Sequence, residues 1–203
     1  MINKGLASRL LASYEESIKC YDAVLQSNPN NIVALSNKGV VFATLKQFKK
    51  AIKCFDDVLS LDPENSQHWH NKGAALAGLG QYNEAMECYD NALQIDPNDL
   101  VAWFNKGNSF AAMQKYQDAI SCYDSALKIN PKDVTSLINK GIALQALSQY
   151  EEAIQCYDHV LQIKPDRYDV WHNKGDVLQG LGKHTEAIKC YKESDRLISN
   201  VKK

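Results

Sequence analysis

WHNKGAALAGLGQYNEAMECYDNALQIDPND, residues 69–99, encodes two helices and the reversal between them. Trp69, Gly73, Leu76 and Leu79 fall at i, i+4, i+7 and i+10, which at about 100° per residue forms one apolar stripe on a helix. After Gly80 and Gln81 the helical spacing resumes in Tyr82, Ala85, Met86, Tyr89, Ala92 and Leu93, until Asp96-Pro97 forces the chain out of helix. Asp99, just beyond the proline, stands where it would cap another first helix.

The same unit recurs with a period of 34 residues. Glycine returns at Gly5, Gly39, Gly73, Gly107, Gly141 and Gly175, proline at Pro29, Pro63, Pro97, Pro131 and Pro165, and cysteine at Cys20, Cys54, Cys88, Cys122, Cys156 and Cys190. Three residue types in phase mean one supersecondary unit copied and stacked, with nothing left over for a separate catalytic domain. The units run at about 1–31 (partial), 32–65, 66–99, 100–133, 134–167 and 168–201, so residues 1–203 read as one helical array. Asn31, Asn65, Asp99 and Asp133 are the expected caps; Arg167 holds the last such place, where Asp166 or Asp169 would have to serve.

Glycine inside a helix costs roughly 1 kcal/mol relative to alanine, so its recurrence requires a packing reason. It lets the second helix approach closely, and Ala51, Ala85, Ala119, Ala153 and Ala187 supply the matching small surface, with Ser17 as the first unit's substitute. Helices of about 13 residues are marginal alone, so each pair depends on its neighbours.

Trp69, Gly73, Leu76, Ala85, Tyr89 and Pro97 together resemble the tetratricopeptide repeat, and the phase holds across essentially all of the chain. The resemblance implies an all-α, right-handed superhelical solenoid of antiparallel helix pairs whose first helices line a concave groove. In one departure, lysine replaces the family's usual leucine before each glycine: Lys4, Lys38, Lys72, Lys106, Lys140 and Lys174. These are expected to form a solvated flank, with their stems along the stripe. Asp22, Asp56, Asp90, Asp124 and Asp158 are expected to belong to a charged outer face. In the last unit Ser194 and Asp195 replace Ala92 and Leu93, a polarity suited to a capping helix.

Function turns on the face opposite the stripe. In the third unit this face holds Gln67, Asn71, Ala74 and Gly78; in the second, Val33, Asn37, Val40 and Thr44; in the fourth, Val101, Asn105, Asn108 and Ala112; in the fifth, Thr135, Asn139, Ile142 and Ala146. These are not the lysines and glutamates of an ordinary solvent face. Each unit contributes one asparagine: Asn3, Asn37, Asn71, Asn105, Asn139 and Asn173. A carboxamide donates to a carbonyl and accepts from an N–H at once, so a row of them can hold an extended peptide by its backbone. The placement is similar to the asparagine ladder in the repeat domain of the enzyme that attaches N-acetylglucosamine to serine and threonine. Helices stacked about 8 to 10 Å apart, and a strand rising about 3.3 Å per residue, give one asparagine to roughly every third guest residue. His70, Phe104, Ile138 and His172 precede ladder positions and are expected to tune selectivity, with Arg9 toward one end and Asp169 and Asp176 at the other. The alternative is that the asparagines bond to one another and set the twist of the array. The carboxylate clamp for chaperone tails, another use of this fold, needs basic residues beside the asparagines, and this chain lacks that set.

The remaining features narrow the class. Net charge is −1, which gives no general pull toward nucleic acid or anionic membranes. No apolar run is long enough to span a bilayer and the start lacks the features of a secretion signal, so the expected location is the cytoplasm. The cysteines read as small buried fillers, too far apart for disulfides. No close ligand pair suggests zinc, and His68 and His70 point in different directions along their helix, so no metal or cofactor is expected. No nucleophile–base pair or phosphate loop appears, so the chain is not expected to be an enzyme. The leading reading is a protein–protein interaction scaffold that binds an extended peptide. Two alternatives are a self-assembling array docking through Ile2, Leu6 and Leu10 of the partial first unit, and the targeting domain of a larger enzyme.

Overall fold

The computed structural model describes residues 2–201, with side chains described over 13–200; the expectations for Asn3, Ile2, Leu6, Leu10, Lys4 and Arg9 lie outside the described side chains. Among the described residues the chain is an all-α array of 11 helices packed in adjacent pairs. They are α1 (Ile2–Ser27), α2 (Ile32–Thr44), α3 (Phe48–Leu61), α4 (Ser66–Gly78), α5 (Tyr82–Ile95), α6 (Leu100–Ala112), α7 (Tyr116–Ile129), α8 (Val134–Ala146), α9 (Tyr150–Ile163), α10 (Tyr168–Gly180) and α11 (His184–Val201). The chain divides after Asn105 into two compact units. In the first, α2 pairs with α3 and α4 with α5, while α1 packs on α2 and α3 on α4. In the second, α8 pairs with α9 and α10 with α11, while α7 packs on α8 and α9 on α10.

The reversal inside each pair rests on one backbone geometry. Lys46, Gly80, Gln114, Ser148 and Gly182 have φ of 57°, 79°, 60°, 59° and 73°. At the third-repeat turn the Gly80 N–H reaches Ala77 O at 2.9 Å and the Gln81 N–H reaches Leu76 O at 3.0 Å. This is the Schellman closure, which satisfies the last carbonyls of the first helix. The other turns repeat it, for example from Lys46 to Ala43 and Gln47 to Phe42. Ala12 holds the corresponding place in the first repeat, and there the backbone continues as one helix through Ile2–Ser27. Where the repeat pattern leads one to expect a hairpin, a continuous helix stands.

The junctions between pairs follow the predicted chemistry. Asp96, before Pro97, is extended, and Asp62, before Pro63, has left the helical region with φ −141° and ψ 79°. Asn31, Asn65, Asp99 and Asp133 accept from the N–H groups of Ala34, Gln67, Ala102 and Ser136 at 2.9, 3.1, 3.0 and 2.7 Å. Arg167 makes no side-chain cap; it instead grips Asp169 in the first turn of α10. Trp69, Trp103 and Trp171 donate from Nε1 to the carbonyls of Pro63, Pro97 and Pro165 at 2.8, 3.0 and 3.0 Å, tying each first helix to its loop.

The packing role of the helical glycine is direct. A Cβ on Gly39 would stand 2.8 Å from the Phe55 ring, and on Gly73, Gly107, Gly141 and Gly175 at 2.6, 2.6, 2.6 and 2.5 Å from the rings of Tyr89, Tyr123, Tyr157 and Tyr191. Every one of these distances is too short for a real methyl group, so the aromatic ring takes the space that a side chain would fill. The matching alanines, Ala51, Ala85, Ala119, Ala153 and Ala187, are all fully buried. On α11 Ser194 is buried too, its hydroxyl donating to Tyr168 O at 2.8 Å, while Asp195 faces solvent.

Candidate functional site: the outward faces of the first helices

In the first unit, the faces opposite the apolar stripes are open and uncharged. Val33, Val40 and Val101 are 69, 42 and 45% exposed. Asn37, Thr44, Gln67 and Gly78 are exposed as well, and Asn71, Ala74 and Asn105 are half-buried. Three β-branched aliphatics stand in water beside carboxamides, in place of the lysines and glutamates of an ordinary solvent face. Phe104 is half-buried. His70 is not available as a selectivity residue: it is 9% exposed and its Nδ1 lies 2.7 Å from Asp99 Oδ2. Asp99 also caps α6, so the pair locks one repeat's first helix to the start of the next. Burial works against the Asp99 carboxylate, but the bonds from His70 and the Ala102 N–H prevail and hold its pKa below the usual range. His68, on the same helix, is buried with neither ring nitrogen hydrogen-bonded; Asp62 Oδ2 stands 3.4 Å from Nε2.

In the second unit, the asparagine row is partly occupied by the protein itself. Asn139 Nδ2 donates to Asn108 Oδ1 at 2.8 Å, and the Tyr123 hydroxyl donates to the same oxygen at 2.9 Å. This is the expected alternative at one rung, where carboxamides of consecutive repeats join. Ile138 is 8% exposed and belongs to the packing, whereas its neighbour Ile142 is 47% exposed. Asn173 is half-buried and His172 has a 60% exposed side chain. The second-helix tyrosines reach beneath the glycines to this face: Tyr157 donates to Gln145 Oε1 at 3.3 Å and Tyr191 to Asp176 Oδ1 at 2.9 Å. Burial pushes the Tyr123 hydroxyl up to about 12, against the pull of the Asn139 hydrogen bond. Burial raises Tyr157 as well. These hydroxyls act as fixed donors.

Two expectations about charge and one about burial are corrected. Lys38, Lys72, Lys140 and Lys174 are not a freely solvated flank; each reaches back to the preceding second helix, to Asp22, Asp56, Asp124 and Asp158, at 2.5, 2.7, 2.6 and 2.5 Å. The aspartates are therefore inter-repeat partners and not only outer-face charges. Lys72 and Lys174 also lie 5.8 and 5.7 Å from the Trp69 and Trp171 ring centres. The signal was present in the sequence as a constant spacing of 16 residues between each aspartate and lysine. Cys54, Cys88, Cys122, Cys156 and Cys190 are buried fillers as read, but Cys20 is exposed. Among the described residues, no three histidine, cysteine, aspartate or glutamate side chains are grouped to hold a metal, and no helix is long and apolar enough to cross a membrane. A separate open cleft of about 630 Å³ in the first unit is lined by Ile52, Trp69, Leu76 and Leu79, with the matched pair Lys72–Asp56 within it.

Family models described as tetratricopeptide repeat match residues 1–31, 32–65, 66–99, 101–133, 134–167 and 168–200. No curated protein matches the chain. Among solved structures, MamA is similar at 23% identity with a TM-score of 0.74, covering 80% of this chain and 95% of that one. A MamA RS-1 double mutant is similar at 18% identity and TM-score 0.76, covering 83 and 95%. YrrB, described as a TPR protein with an unusual peptide-binding site, is similar at 16% identity and TM-score 0.70, covering 87 and 91%. At these identities the likeness concerns the fold.

Proposed function

Because the chain belongs to the tetratricopeptide repeat family, matched from residue 1 to residue 200 in six repeats, we propose that it is a non-catalytic scaffold that binds an extended segment of a partner protein. The contact surface is the face of the first helices opposite their apolar stripes, with Asn37 and Asn71 as backbone-reading residues in the first unit and Asn173 in the second. The observation that carries this reading is the open, uncharged face of α2, where Val33 is 69% and Val40 42% exposed on either side of the exposed Asn37. Carboxamides bond the guest's main chain while the valines cover its apolar side chains. The peptide-binding site described for YrrB is in keeping with this use of the fold. Asn139 and Asn108 serve a different end, holding consecutive repeats together.

The test selects binders from a displayed peptide library on the immobilised full chain and then measures their affinity for Asn37→Ala/Asn71→Ala. At about 1 kcal/mol per lost hydrogen bond, removal of two contacts weakens binding by roughly 30-fold. Unchanged affinity in a double variant with wild-type melting removes the proposal.

A second reading, self-association through the N-terminal repeat, is favoured by the incomplete cover on residues 14–27, where Cys20 is exposed and Val24 is 40% exposed. Sizing the chain over a range of concentrations, with and without Val24→Asp, tests it. A monomer at every concentration excludes it.

A further inference from the structure

The last repeat departs from the others where its first helix meets solvent. The residue after the helical glycine is Leu6, Val40, Ala74, Asn108 and Ile142 in the preceding repeats, and Asp176 here. Its Oδ1 accepts the Tyr191 hydroxyl at 2.9 Å, and His172 Nε2 lies 3.8 Å from the same oxygen. The His172 and Tyr191 rings stand with centroids 5.3 Å apart and planes tilted by 52°. One carboxylate is thus held by a tyrosine hydroxyl, with the phenol and imidazole rings beside it. The Asp176 side chain is 43% exposed. The contrast lies on the same helix: Asp169 is closed off by Arg167, which grips it from Nε and a terminal nitrogen at 2.8 and 2.5 Å.

We infer that Asp176, Tyr191 and His172 form a subsite for a guanidinium group, the side chain of an arginine in the bound segment. A guanidinium is planar and forks onto a carboxylate while its face rests beside an aromatic ring; an ammonium can approach a ring too but lacks the fork that matches the two carboxylate oxygens. The Arg167–Asp169 pair is an internal example of the fork. The inference rests on the peptide-binding reading for its setting and adds to it a basic residue in the part of the guest lying on α10.

The probe is N-acetyl-arginine methylamide, titrated into the ¹⁵N-labelled full chain and followed by amide chemical shifts, with the uncharged isostere N-acetyl-citrulline methylamide as comparison. The arginine derivative saturates in the millimolar range with its shifts confined to α10 and α11, and citrulline produces none there. Asp176→Asn weakens the response about fivefold, the upper end for one exposed charge pair. Tyr191→Phe, which restores the side chain already used at Phe55, weakens it about twofold by freeing the carboxylate's orientation. Equal responses to arginine and citrulline, an unaltered response in folded Asp176→Asn, or shifts that map to other helices each overturn the subsite. Because no peptide is used and neither Asn37 nor Asn71 is altered, this outcome is independent of the library experiment.

Discussion

Residues 14–27 of α1 and the whole of α5, Tyr82–Ile95, carry the same second-helix pattern and end in different surroundings. Cys88 is 4%, Tyr89 1% and Ala92 0% exposed. Their counterparts in α1 are an exposed Cys20, a half-buried Tyr21 and Val24 at 40%. The difference lies in what the chain does just before each helix. At Gly80 it reverses and lays α4 along α5, so that Tyr89 settles on Gly73 and Leu76 covers Cys88. At Ala12 it does not reverse, and the pattern in α1 lacks that cover from its own repeat. The apolar residues of one helix therefore do not suffice for a core here; the unit of burial is the hairpin.

Thiol labelling probes this contrast most strongly. Cys20 should react with Ellman's reagent at least about 100-fold faster than the buried cysteines, which wait for opening of the fold. Burial adds to their protection by raising the thiols of Cys54, Cys156 and Cys190, and that of Cys88 to about 11. Six thiols reacting at one rate would erase the contrast.

Next in size is Gly73→Ala. The new methyl meets the Tyr89 ring at 2.6 Å, an overpacking cost of about 1–3 kcal/mol against a helix gain of about 1 kcal/mol. A net loss of up to about 2 kcal/mol in urea unfolding is expected. Gly80→Asn should cost only a few tenths, since Lys46, Gln114 and Ser148 hold φ of 57–60° at the same turn position. A reversed order of these two variants would place the glycine requirement in the turn and not in the packing.

A smaller effect is expected from Asp56→Asn, which removes the partner of Lys72 between adjacent pairs. The aspartate is half exposed, so the loss should be about 0.2–1 kcal/mol and should shrink in high salt. The mildest probe is acid. Burial lowers the pKa of His68 below the ordinary histidine value, with Asp62 opposing. The unfolded chain therefore takes up this proton first: stability is fully present above the unfolded pKa of about 6.5 and falls as pH drops toward the lower folded value. His68→Gln should flatten melting temperature over that window, and an unchanged slope would assign the acid loss to other groups.

Much of this was readable without coordinates. The period placed the glycines, alanines and aromatics of the inner contact, the prolines ended the second helices, and Asn31, Asn65, Asp99 and Asp133 announced the caps. The neutral first-helix face was legible too, since Val33, Val40, Val101 and Ile142 are all exposed as a helical count requires. Where that count went astray, the cause was a neighbour in another repeat. His70 and Phe104 share a position in the period, but His70 is drawn into packing by Asp99, which a helical wheel of α4 does not contain. Asn139 is spent on Asn108 for the same kind of reason.

Local sequence by itself determined helix, turn and the inner stripe, because these depend on residues within a few positions of one another and on fixed helical geometry. Tertiary structure alone decided which polar side chains remain open to a partner. Hydrogen bonds and ion pairs such as Lys72–Asp56, His70–Asp99 and Asn139–Asn108 join residues 16, 29 and 31 positions apart. Their formation depends on distances of a few ångströms that only the stacking of one hairpin on the next sets.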